Sequence, residues 1–169
     1  MPILNASPLA LPDNAYLEGA WQESIAVPNP APGQIAVRTT PGETYEQLLT
    51  GAAVYVADAA VVNRIVLVTV QDPNGRLVGA YPCPTAQTAS TTDVYSIVAQ
   101  GGQSFATSGG DNVIAMPAIL LLPGYKVTFG SPQADAGDQV QSVTFVMLRI
   151  PTGAPQQQPE PLMATPLQV

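Results

Sequence analysis

Along the middle of the chain, apolar and polar residues fall into short runs cut by turn-forming residues, the pattern of strands rather than helices. Arg64–Val70 is the clearest run, with Ile65, Leu67 and Thr69 on one face and Val66, Val68 and Val70 on the other. Pro73-Asn74-Gly75 follows as a turn, and Arg76–Tyr81 returns, so residues 64–81 read as a hairpin. Further strands are predicted over Gln34–Thr39, Ala52–Asp58, Val94–Ala99, Ala118–Leu122, Tyr125–Phe129 and Val140–Ile150. Gly101-Gly102, Gly109-Gly110 and Pro123-Gly124 punctuate them, and the Gly- and Ser-rich Gln100–Asp111 reads as a flexible loop. Short, regularly spaced strands predict an all-β protein, a single β-sandwich or jelly-roll-like domain. One short helix is expected within residues 40–51, the competing reading being an irregular link before the next strand. Thr40 acts as N-cap, Pro41 opens the first turn, Glu43 completes a capping box, Tyr45, Leu48 and Leu49 follow at helical spacing, and Gly51 ends it.

Two predicted strands are apolar on both faces. In Val140–Ile150, Val143, Phe145 and Met147 alternate with Thr144, Val146, Leu148 and Ile150. A sandwich strand in water has one wet face, so the outer faces of these strands need cover from arms or from another subunit.

Proline sets the domain limits. Of 18 Pro, seven lie in residues 1–41, five in 151–169 and six in 42–150. Proline lacks the N–H a sheet ladder needs, so Pro-dense ends make poor strands and helices. Residues 1–33, with Pro28-Asn29-Pro30-Ala31-Pro32-Gly33, are expected as an extended N-terminal arm. Residues 34–150 form the sandwich, and the Pro/Gln-rich 151–169 forms a C-terminal arm. Tyr16, Leu17 and Trp21 put large apolar groups in the first arm, where they cover this domain's own sheet or lock into another subunit.

Composition narrows the role. Five Lys and Arg against twelve Asp and Glu give a net charge of −7, the wrong sign for nucleic-acid binding. Only 10% of residues are charged, against about 25% in an ordinary soluble domain. Such a surface is easily buried against partners, because little charge must be desolvated. Val54–Val70 is interrupted by Asp58, Asn63 and Arg64, and Val113–Leu122 is short of the roughly 20 residues a membrane helix needs, so no membrane role is expected. Met1-Pro2-Ile3-Leu4-Asn5 has no cationic start and does not read as a signal peptide. Asn5-Ala6-Ser7 then matches the glycosylation pattern by chance, and the chain is expected to mature in a reducing cytoplasm.

Candidate chemistry is sparse. The chain has no His, the commonest general base and transition-metal ligand, and its single Cys permits no internal disulfide. Cys83 lies between Pro82 and Pro84 with no cation nearer in sequence than Arg76, so it reads as an inert thiol. Asp135 and Asp138 lack the oxygen pattern of a calcium loop and read as solvated turn residues, and Asp111 reads likewise. Lys126, the only lysine, has no Ser-x-x-Lys spacing before it and reads as an edge or interface charge. No phosphate-loop glycine pattern occurs. The sequence therefore predicts no catalytic, cofactor-binding or metal residues, and no enzyme. A hydrolase using only Asp or Glu, with Asp135 and Asp138 the residues to screen, is the enzymatic alternative.

From Leu48 to Ala99 the chain resembles small β-sandwich structural proteins of tailed-phage particles. The resembling features are Ala57-Asp58-Ala59-Ala60-Val61-Val62-Asn63-Arg64, the strand Ile65–Val70, Asp72-Pro73-Asn74-Gly75, Thr88-Ala89-Ser90 and the strand at Tyr95. Leu122-Pro123-Gly124-Tyr125 and Ala136-Gly137-Asp138 fit the same look. These are turns and strands covering under two thirds of the chain, and they carry no catalytic residue across. The resemblance implies a bacteriophage virion protein: a capsid cement or decoration protein, or a head–tail component, assembled in the host cytoplasm. Its expected partners are copies of itself, with a trimer favoured by analogy to jelly rolls, and the major capsid protein or other virion proteins. The alternative is a carbohydrate-binding or receptor-binding sandwich of a phage tail or fibre, whose Tyr and Trp would stack on sugar rings.

Overall fold

In a computed structural model, the described residues are 19–59, 63–99, 103–106 and 111–152. Among them there are eleven strands and no helix. These are β1 (Trp21–Ala26), β2 (Ala36–Thr39), β3 (Thr44–Val56), β4 (Leu67–Gln71), β5 (Leu77–Pro82), β6 (Thr92–Val98), β7 (Phe105–Ala106), β8 (Asp111–Ala115), β9 (Leu120–Leu121), β10 (Lys126–Gly130) and β11 (Gln139–Pro151). They form two sheets. One runs β1-β11-β3-β6-β8-β7, with β9 paired to β3 beyond the end of β6; the other runs β2-β10-β4-β5. Every pairing is antiparallel except β6 with β8. The protein is an all-β sandwich of jelly-roll-like kind.

The core is what the alternation placed inward: Val66, Val68, Val70, Val127 and Phe129 from the four-stranded sheet, and Leu48, Tyr55, Tyr95, Ile97, Phe145 and Met147 from the larger one. Tyr95 on β6 meets Phe129 on β10 edge-on, ring centres 5.5 Å apart, which ties the sheets together at mid-sandwich.

The hairpin expected at 64–81 is present as β4 and β5. Asp72 shapes its turn. Its Oδ1 accepts from the Asn74 and Arg76 amides at 2.8 Å, and Gly75, at φ 82°, donates its N–H to the Asp72 carbonyl at 3.0 Å.

The expected helix is replaced by β3. Thr44, Tyr45, Thr50, Val54, Tyr55 and Val56 are strand-forming residues, and pairing with β11 on one side and β6 on the other satisfies far more backbone than an isolated helix would. Glu43 leads into β3, where its carbonyl accepts from the Thr152 amide at 2.9 Å. Gly51 is not a helix end. It lies mid-strand, where a Cβ would stand 2.9 Å from the Phe145 ring and 3.1 Å from the Thr144 carbonyl.

Both long strands change face once. Opposite β11, β3 carries one extra residue at Leu49, so its buried positions switch from Thr44, Glu46 and Leu48 to Gly51, Ala53 and Tyr55. In β11 the switch is at Ser142, held at φ 50°, between buried Val140 and buried Val143. Its amide is taken up by Asn29 Oδ1 at 3.0 Å.

Other differences are local. β1 lies inside the stretch expected as an extended arm, and β7 inside the stretch expected as a flexible loop. Pairing decides both, β1 against β11 and β7 against β8. The expected strand 118–122 shrinks to Leu120–Leu121. Residues 1–18 and 153–169, which hold Tyr16, Leu17 and most of both expected arms, lie outside the described residues. No helix among the described residues is long and apolar enough to cross a membrane.

Candidate functional site

The charged residues of the strands do not follow the rule of polar outside. Arg64 shares parity with Val66, Val68 and Val70; Arg38 with Ala36; Glu46 with Leu48; Arg149 with Met147. Alternation therefore turns all four inward, and they gather at the two ends of the sandwich.

At the end where β3 finishes and β4 begins, Asp138 and Arg64 pair inside the fold, with side chains 1% and 0% exposed. Asp138 also accepts from the Tyr55 hydroxyl at 3.0 Å, the Asp58 amide at 2.8 Å and the Asp135 amide at 3.1 Å. Arg64 reaches Asp135 at 3.4 Å, and its backbone exchanges hydrogen bonds with Gln87. The Gln87 amide nitrogen donates to the Tyr55 and Thr91 carbonyls, and its oxygen accepts from the Tyr95 hydroxyl, each at 2.9 Å. Burial alone would raise the Asp138 pKa. The two amides, Arg64 and Tyr55 outweigh it and hold the carboxyl below its usual value. Burial, reinforced by the Asp138 charge, pushes the Tyr55 hydroxyl well up. The network joins both sheets and is a structural clamp. The expectation of a solvated Asp138 is thus corrected, because its partner Arg64 lies 74 residues away and local sequence does not join the two.

At the opposite end, Glu46 is fully buried between Arg38 of β2, at 2.8 Å, and Arg149 of β11, at 3.1 Å. Arg149 also pairs with Glu23 of β1 and lies under the Trp21 ring, 5.1 Å from its centre. Burial raises the Glu46 pKa against the pull of the two arginines, whereas the Arg149 hydrogen bond lowers that of exposed Glu23. Trp21 therefore folds against its own sheet while staying 41% exposed.

Cys83 is buried, and burial pushes its thiol pKa up, the opposite of what a nucleophile needs. Lys126 is not on an edge strand. It begins β10, between β2 and β4, on the outer face. Asp111 begins β8. Among the described residues no group of three or more His, Cys, Asp or Glu is placed to hold a metal ion.

With the arginines drawn inside, the outer sheet faces are nearly free of charge. On the four-stranded sheet, Val37, Thr128, Thr69 and Ala80 lie in one row across the strands, with Gly130, Leu67 and Pro82 in the next. The Thr69 and Thr128 hydroxyls bond to each other at 2.6 Å, and Ile35, Val37 and Ile65 are exposed. Lys126 is the one charged side chain that the strands place on this face. On the larger sheet three successive rows hold no charged residue: Gln22, Leu148, Gln47 and Leu120; Ser24, Val146, Thr50, Val98 and Ala115; and Ala26, Thr144, Ala52, Ser96 and Val113. Such faces have the composition of contact surfaces, not of a reaction centre.

No protein-family model matches the chain. No curated protein matches it either. Among solved structures, the chain is similar to one titled as the structure of infectious bursal disease virus Gx strain, at 11% identity and TM-score 0.32, covering 79% of this chain and 34% of that one. A structure titled as infectious bursal virus derived T=1 particles gives 11% identity and TM-score 0.32, covering 80% and 32%. The chain thus spans about a third of the length of these neighbours. A superposition this loose establishes neither a family nor a role.

Proposed function

We propose that this chain is a non-enzymatic structural protein of a virion, a self-associating capsid cement or decoration protein of a bacteriophage. The observation that carries the reading is the placement of charge. Three of the four arginines are held in ion pairs inside the fold, those of Arg38 and Arg64 joining the two sheets and those of Arg149 within the larger one, which leaves broad, nearly uncharged outer faces with exposed aliphatic side chains. Burying such faces against capsid subunits desolvates little charge and adds apolar contact at the joints, which is how a cement protein opposes internal pressure. The phage assignment rests on the resemblance carried by the Leu48–Ala99 turns and strands. The expected partners are further copies of the chain and a major capsid protein.

The test is imaging of particles assembled with and without the chain. Density for it bridging capsid subunits, and particles that burst at lower temperature without it, are the expected results. Particles that assemble, fill and resist heat identically without it would overturn the proposal. Removal of residues 153–169 then asks whether the C-terminal segment clamps neighbours. The cut leaves Thr152 in place, because its amide and hydroxyl bind the Glu43 carbonyl.

A further inference from the structure

β1 closes the larger sheet, and among the described residues nothing pairs with its outer edge. An open edge is a template for another strand, and proteins usually blunt it with proline, charge, bulges or brevity. The other outer strands are blunted. β5 has a register shift at Val70/Gln71, a mid-strand glycine and a terminal Pro82; β2 has only four residues; β7 has two residues. β1 has six residues, no proline, and unbroken register with β11 from Trp21↔Arg149 to Ala26↔Thr144. Its one charge, Glu23, is held on Arg149.

We infer that β1 is a self-association edge, pairing antiparallel with β1 of a second copy to continue the seven-stranded sheet across two subunits. The edge is self-complementary, which selects a second copy of the chain as its partner. Two antiparallel neighbours are related by a two-fold axis normal to the sheet, so opposed residues must point to the same side and therefore have like parity. Two registers give the longest overlap on those terms. One centres on Glu23 and sets two carboxylates face to face. The other centres on Ser24, placing Gln22 opposite Ala26 and Glu23 opposite Ile25 of the second copy, with no like charges opposed. The Ser24 register is therefore selected. It also carries the uncharged outer row through Ser24, Val146, Thr50 and Val98 unbroken from one subunit to the next. This two-fold contact takes the place of the trimer expected by analogy. It rests on the self-association part of the proposed function, not on the position in a particle.

The test uses the full chain in sedimentation and light scattering across a concentration series, with Ser24→Lys and Ser24→Glu variants. Ser24 is exposed, so both should fold, with melting curves that match the wild type's at concentrations too low for association. Wild type is expected to associate in pairs. Each variant should weaken association on the order of tenfold, because like charges meet on the axis, and an equimolar mixture of the two should restore it. Hydrogen exchange provides a second readout independent of the variants: amides of residues 22–26 should gain protection as protein concentration rises. Association that neither variant alters, including a three-chain mass, overturns the β1 contact and leaves self-association standing. A wild-type chain that stays single at every concentration overturns both. Concentration-independent exchange in β1 of an associated protein overturns the edge alone.

Discussion

Asp138 shows how one buried carboxylate organises an end of the sandwich. Its Arg64 partner is fully enclosed, so removing the Asp138 charge takes away the most deeply buried of the acidic groups that face that cation, with Asp135 remaining at 3.4 Å. Asp138→Asn should cost about 3 kcal/mol, read as a lowered midpoint in urea unfolding, because it breaks a buried ion pair and leaves Arg64 only part of its compensating charge. The pH dependence has a definite sign. A carboxyl whose folded pKa lies below its ordinary 3.8 binds fewer protons in the folded than in the unfolded state. Its contribution is fully present above that ordinary value and is lost as pH falls through the lower folded one. Glu46 acts in reverse: its pKa is raised by burial, so its charge weighs against the fold at neutral pH and protonation relieves it. Thermal melts from pH 6 to pH 2 should therefore separate the two ends. Wild type should lose stability at the acid limit, Asp138→Asn should lose less of it there, and Glu46→Gln should be least destabilising near neutral pH.

At the scale of elements, the two face switches decide which side chains reach the core. Ser142 pays for its switch with a left-handed backbone that glycine adopts freely. Ser142→Gly, which keeps the amide bonded to Asn29, should stabilise the protein by up to about 1 kcal/mol in thermal unfolding. Gly51→Ala should do the opposite, by about 1–3 kcal/mol, since the new methyl meets the Phe145 ring and the Thr144 carbonyl. These elements also mark where local reading fails. The stretch 40–51 carries a sound helix-start signal, yet it becomes strand, because β11 and β6 offer it ladders on both sides that no local pattern encodes. The hairpin at 64–81 was legible because both its strands and the Asp72–Gly75 turn are local.

For the whole molecule, the consequence of internal ion pairs is an outside of low charge and acidic balance, net −7 over the full sequence. Contacts made through the uncharged faces should be insensitive to screening. Association measured by sedimentation should hold or strengthen between 0.1 M and about 1 M salt, where the screening length falls to roughly 3 Å, whereas dissociation at high salt would point to ion pairs as the adhesive.

Composition and alternation were enough to determine the all-β class, the hairpin and most inward-facing aliphatic residues, because each depends on residue type and period alone. The parity of Arg38, Glu46, Arg64 and Arg149 with core positions was also present in the string, yet it gains meaning only once a partner is known. Asp138 is separated from Arg64 by 74 residues, and Arg149 from Glu23 by 126. Which charges meet, where the long strands change face and which edge is left open follow from long-range pairing. The free energy of that pairing is shared between strands distant in sequence, and so only the tertiary structure decided it.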